Sequence, residues 1–178
     1  MPDDDRWVLA DPDLAVGLLG TLRSRGDALA GDDLPDDPEA TAWVRRHGDG
    51  ADLVALRELL RELLTATVAG DAPPAGTLEA LDELAARSPV NLAAHQGDDG
   101  TVTVERTRPG DPATVLRAEL ARSALALLAP PARDRLRLCR APGCRLFFLT
   151  DLRRQQWCSA DCGNRARVAR HATRHAPR

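Results

Sequence analysis

The four cysteines of the chain fall in one short stretch, Cys139, Cys144, Cys158 and Cys162. They are spaced as Cys-x4-Cys, thirteen residues, then Cys-x3-Cys. Two close thiolate pairs, joined by an insert of hairpin length, are what a tetrahedral Zn²⁺ site requires. Pro142-Gly143 inside the first pair permits the tight reversal that turns both sulfurs inward. Cys158 and Cys162 are four residues apart, so both face one side of the first turn of a helix. Four protein ligands leave no open position, and the expected metal is structural zinc without metal catalysis. Four ordinary buried or reactive cysteines are the competing reading. Their confinement to a 24-residue window argues against it.

Basic chemistry surrounds this cluster. Residues 133–178 hold twelve arginines against three aspartates, a balance of +9, while residues 1–132 carry −12. The chain has no Lys, Ile or Tyr. Those residues use AT-rich codons, so the all-arginine basic set reflects base composition. On a helix after Cys162, Arg167, Arg170, His171 and Arg174 share one face, and that stripe suits a phosphate backbone. Arg165 joins them as a candidate for phosphate or base contact. Asn164 would contact a base or brace the turn after Cys162. His171 and His175 stand one helical turn apart and form a competing metal pair, although four thiolates already complete a site. A basic module on an acidic body points to a polyanion partner.

The elements that must position these groups are legible in part. Around the cysteines, Leu146–Thr150 reads as a strand, Asp151–Arg154 as a turn and Gln155–Cys158 as the returning strand. A helix from about Ser159 to Thr173 would follow. Knuckle, hairpin and ligand-bearing helix make a treble-clef-like layout, and so small a module needs its metal to fold. Upstream, Leu14–Leu19 reads as a short strand or helix, followed by an acidic loop. Asp37 and Pro38 open a helix carrying Trp43 and Val44 and ending at Gly48. From Asp52, Leu53, Leu56, Leu60, Leu63, Leu64 and Thr67 repeat at helical spacing. Thr77 is read as the cap of a helix with Leu78, Leu81, Leu84 and Ala85 inward. Val90–Thr107 alternates as a β-hairpin. Asp111 and Pro112 open a further helix with Leu116, Leu120, Ala124, Leu127 and Leu128 as its stripe, and Pro130-Pro131 ends it. The expected fold class is α+β: a mainly helical N-terminal domain, 1–130, with a β-hairpin, and a C-terminal zinc module, 131–178. With two Phe and three Trp in the chain, aromatic packing contributes little and stability should be modest.

Several classes of function are disfavoured. No His-Glu-x-x-His, phosphate-binding glycine loop or nucleophile elbow occurs, so an enzyme is not expected. The acidic opening, Met1–Asp5, is unlike a secretory leader, and no apolar run reaches membrane-span length. Clustered cysteines then favour a reducing compartment, the cytoplasm.

Cys139-x4-Cys144, Phe148, Trp157-Cys158-Ser159 and Cys162-Gly163-Asn164-Arg165-Ala166-Arg167 together resemble the CGNR zinc finger, over residues 135 to 175. In that family the finger usually follows an ABATE domain, associated with stress-induced transcription regulation. The resemblance implies that residues 1–130 are such a domain. The family often has an Asn-Thr pair after an early apolar segment, where Leu18-Leu19-Gly20-Thr21 carries Gly in place of Asn. The leading expectation is a DNA-binding transcription regulator whose N-terminal part senses a signal, such as a small-molecule effector, or forms a homodimer. The alternative is an RNA-binding or protein-interaction adaptor gripping RNA or an acidic protein. Loss of zinc is expected to unfold the C-terminal module while the helices before Pro130 survive.

Overall fold

A computed structural model of the chain describes residues 11–20, 24–25, 28–29 and 53–174. The expected helix from Asp37 to Gly48 lies outside the described residues, as do Thr21, Asp52, His175 and Arg178.

Helix α1 (Pro12–Leu19) begins where the Asp11 carboxylate accepts from the Asp13 amide at 2.9 Å. The segment read as strand or helix is thus a helix, and it buries Ala15, Leu18 and Leu19. A two-residue ladder pairs β1 (Ser24–Arg25) with β2 (Ala28–Leu29). Helix α2 (Val54–Ala69) buries Leu56, Leu60, Leu63 and Leu64, the stripe its spacing dictates. Gly70 ends it at φ 82, a left-handed conformation that is cheap only without a Cβ.

Helix α3 (Thr77–Ala86) corrects two expectations. Its N-cap is Gly76, and Thr77 is the first helical residue, buried rather than capping. Leu81 is buried, with Leu84 and Ala85 against the core, but Leu78 is 38 % exposed. Thr77 and Leu81 lie at the centre of the inward face, and Leu78 sits at its edge, on the same side as the half-buried Ala85. The expected hairpin follows, with β3 (Asn91–Gln96) antiparallel to β4 (Val102–Thr107) and Ala94 opposite Val104. No residue of either strand is buried.

Helix α4 (Pro112–Ala126) is the hub. Asp111 caps it as its Asp-Pro start implies, accepting from the amides of Ala113 and Thr114 at 3.0 Å. Leu116, Leu120, Ala121 and Ala124 are buried, and the helix packs on α3 and α1. Two polar side chains fasten those neighbours. Arg122 donates through Nη1 to the carbonyls of Ala85 and Ser88 at 2.9 and 2.8 Å, closing the C-terminal end of α3. The Ser123 hydroxyl, fully buried, accepts from the Ala15 amide at 2.9 Å.

Beyond Pro130-Pro131, the single turn α5 (Ala132–Arg135) leads into β5 (Leu136–Leu138). This strand pairs antiparallel with β6 (Phe147–Leu149), Leu138 opposite Phe147. Here the structure overturns the expected pairing of Phe147–Leu149 with Gln155–Cys158. The partner strand precedes the first cysteine pair, and the Cys139–Cys144 knuckle is itself part of the turn between the strands. Burial explains the choice. Leu136 and Leu138 lie on one side of β5 and join Phe147 and Leu149 against the helical core. Gln155 and Gln156 have no comparable surface to bury. Gln156 keeps one backbone link, its carbonyl accepting from the Arg140 amide at 3.0 Å.

Helix α6 (Ala160–Arg174) completes the described chain. The architecture is α+β, a layer of helices with two-stranded sheets. The β5–β6 hairpin is shared between two clusters. Leu136 and Phe147 belong to the helical core, whereas Phe148 packs with the cysteines.

Candidate metal centre and nucleic-acid interface

Three elements deliver the four thiols. Cys139 follows β5, with its amide bonded to the Leu146 carbonyl at 2.9 Å. Cys144 closes the knuckle, its amide bonded to the Ala141 carbonyl at 3.0 Å. Gly143 between them takes φ 70, which explains the Pro-Gly pair. Cys158 precedes α6, and Cys162 lies in its first turn. The Ser159 hydroxyl accepts from the Cys162 amide at 3.2 Å, an N-cap that holds this turn at the cluster.

All four Sγ atoms lie within 4.8 Å of one another. The Cys144–Cys158 and Cys158–Cys162 separations are 3.9 and 3.6 Å. Tetrahedral zinc with Zn–S bonds of about 2.3 Å spaces its sulfurs about 3.8 Å apart. The donor set therefore fits zinc in both chemistry and size.

Surrounding donors stabilise negative charge on sulfur. The Cys158 amide points at Cys139 Sγ at 3.4 Å, and Arg165 Nη2 donates to Cys162 Sγ at 3.0 Å. Burial pushes the Cys144 and Cys158 thiols above their ordinary range. At Cys162 burial also opposes ionisation, but donors from Ser159, Cys158 and Arg165 outweigh it and bring the thiol down to about 7. Arg165, the basic residue that favours ionisation of Cys162, lies on α6.

The other α6 residues divide between two sides. Cys162, Gly163 and Ala166 are buried against the module. Asn164, Arg167 and His171 are exposed. Asn164 lies within the helix, beyond the capped turn. Arg170 and Arg174 line a recess of about 440 Å³ between α6 and the knuckle, with Arg140, Pro142 and Trp157 on its facing wall. The Arg170 guanidinium carbon is 5.9 Å from the Trp157 ring centroid, within cation–π range. A second recess, of about 190 Å³, shares Arg140 and Gln156 with the first and adds Arg137, Arg153 and Arg154. The structure thus brings Arg170 and Arg174 together with arginines that sequence reasoning had only counted. Only the shared basic character of residues 133–178 hinted at Arg137, Arg140, Arg153 and Arg154. The role of Trp157 needed the three-dimensional path.

Knuckle, thiol cluster and ligand-bearing helix define a zinc-finger module, and comparison with known families agrees. The CGNR zinc finger matches residues 135–175. The ABATE model, described as "Putative stress-induced transcription regulator", matches residues 12–131, more than half of the chain. The chain belongs to the ABATE family. No curated protein matches it.

Proposed function

We propose that this protein is a DNA-binding transcription regulator in which structural zinc on Cys139, Cys144, Cys158 and Cys162 fixes a basic helix for docking. The observation that carries this reading is the division of α6. One side is anchored by Cys162, which belongs to the thiol cluster, and by the buried Gly163 and Ala166, and the other presents Arg167, His171 and the rim arginines Arg170 and Arg174. When bound, zinc supplies the cross-link that a module of this size needs to hold its fold. The chain's own residues do the rest. Ser159 starts the helix, Arg165 neutralises the cluster, and Arg167, Arg170 and Arg174 meet phosphates or base edges. Asn164, exposed on the same helix, contacts a base on this reading. The role is binding rather than catalysis.

Residues 1–130 serve as the regulatory part, sensing a signal or pairing two copies, and residues 131–178 as the DNA-reading part. Pairing draws support from the β3–β4 hairpin. Leu92, Val102 and Val104 share one of its faces and are 60, 62 and 63 % exposed. A single small module buries only about 600–1,000 Å² on DNA, so two copies would read a site more securely than one. No helix among the described residues is long and apolar enough to cross a membrane. The clustered cysteines suit a reducing compartment, and on that ground we place the protein in the cytoplasm.

Selection from random duplex DNA with zinc-loaded full-length protein tests this reading. A sharp enriched motif is expected. Enrichment of RNA from a matched pool, with none from duplex, would favour the adaptor alternative and overturn it.

A further inference from the structure

We propose that the recess between Trp157 and α6 holds an unpaired base of a nucleic-acid strand, with the strand's phosphates carried by the arginines at its rim. The inference rests on the nucleic-acid reading above and specifies what one part of that surface recognises. The recess combines two chemistries. Trp157, Pro142 and Ala169 supply apolar wall, and Arg140, Arg170 and Arg174 supply positive charge. No acidic residue lines it or the recess beside it. Its occupant is therefore an anion with a flat, apolar body.

The phosphate ridge of a duplex has no such body. It is met by outward-pointing cations and makes no use of an apolar hollow. An unstacked nucleotide has both parts, since its base stacks on an aromatic ring or a guanidinium plane while its phosphate pairs with arginine. The Trp157–Arg170 arrangement provides that surface. Arg170 is steadied by donating from Nε to the Ala166 carbonyl at 3.2 Å, with its guanidinium carbon 5.9 Å from the indole centroid. The volume, about 440 Å³, is of the size that takes a small organic ligand. Continuity distinguishes a strand from a free nucleotide. Arg140 is common to both recesses, and Arg137, Arg153 and Arg154 extend the charge away from the first. A lone nucleotide would leave that extension unused, whereas the next phosphates of a strand run along it.

The experiment compares two labelled DNAs by fluorescence anisotropy with zinc-loaded full-length protein. One is a duplex, and the other is the same duplex carrying a single bulged thymidine. The bulged DNA is expected to bind about tenfold tighter, within the range that stacking one base supplies. Ala169→Phe fills the recess and should abolish that gain while leaving duplex affinity unchanged. Thr173→Phe fills it from an exposed position, so a folding defect in the first variant does not decide the outcome. Duplex binding with no gain for the bulge overturns this inference and leaves the regulator reading standing. Failure to bind either DNA overturns both. A gain that survives both filling variants places the unpaired base elsewhere. Saturable binding of thymidine monophosphate in the recess at micromolar concentration, with no gain for the bulge, would make it a free-nucleotide site and also overturn the strand proposal.

Discussion

At the scale of single residues, the two arginines of the Arg165-Ala166-Arg167 run have separate tasks. Both are exposed, but Arg165 donates to Cys162 Sγ and helps bring that thiol to about 7, whereas Arg167 lies two positions further round α6. Groups that hydrogen-bond metal ligands affect metal affinity by roughly ten- to a hundredfold. Arg165→Ala should therefore weaken zinc binding about tenfold in a chelator competition, yet leave the salt dependence of DNA binding unchanged once zinc is saturating. Arg167→Ala should do the reverse. Zinc affinity stays, and the log–log salt slope for duplex binding falls by about 0.9 for the lost phosphate contact. An Arg165→Ala protein with normal zinc affinity would show that its contact with Cys162 is incidental. Spacing alone placed both residues in one basic run. Their division depends on which lies over the cluster, and that follows from the Ser159 cap that starts α6 about two turns earlier.

At the scale of elements, strong local chemistry was legible and shared burial was not. The Asp111-Pro112 start, the long leucine stripe and the alternating hairpin are local signals, and α4, α2 and β3–β4 follow them, whereas the short apolar run of α1 left strand and helix open. The partner of Phe147–Leu149 is a different matter. Leu136-Arg137-Leu138 is too short to announce a strand, and its pairing depends on a helical surface far away in sequence. Leu78 fails for the same reason, because the inward face of α3 is set by what it packs on. The structure makes the hairpin a strut between core and cluster, and that has a measurable consequence. Phe147 is 6 % exposed in the helical core, so Phe147→Ala should cost about 3–5 kcal/mol in denaturant unfolding of the zinc-loaded protein. A cost below about 1 kcal/mol would separate the hairpin from the core. Ser123→Ala leaves the buried Ala15 amide without its acceptor and should cost about 1–3 kcal/mol by the same measurement.

At the scale of the whole molecule, the shared hairpin qualifies the expected independence of the two parts. Chelating zinc should leave helical circular dichroism from the segment before Pro130 in place at 25 °C. It should also lower the melting temperature of that segment by several degrees, because Leu136 and Phe147 lose their anchor at the cluster. An unchanged melting temperature would show that the core holds the hairpin without the metal. Charge is partitioned on the same scale, +9 over residues 133–178 against −12 over the rest. On the DNA-binding reading proposed above, the acidic body repels DNA while the basic module attracts it, so docking depends on a correctly folded module rather than on overall charge. The measurement that tests this most directly is equilibrium binding of one duplex by zinc-loaded and chelated protein across a salt series. Zinc-loaded protein should bind with a steep inverse salt dependence of several phosphate contacts, and chelation should abolish that binding. Binding that is indifferent to zinc, or absent with zinc fully loaded, would contradict a metal-organised DNA-reading helix.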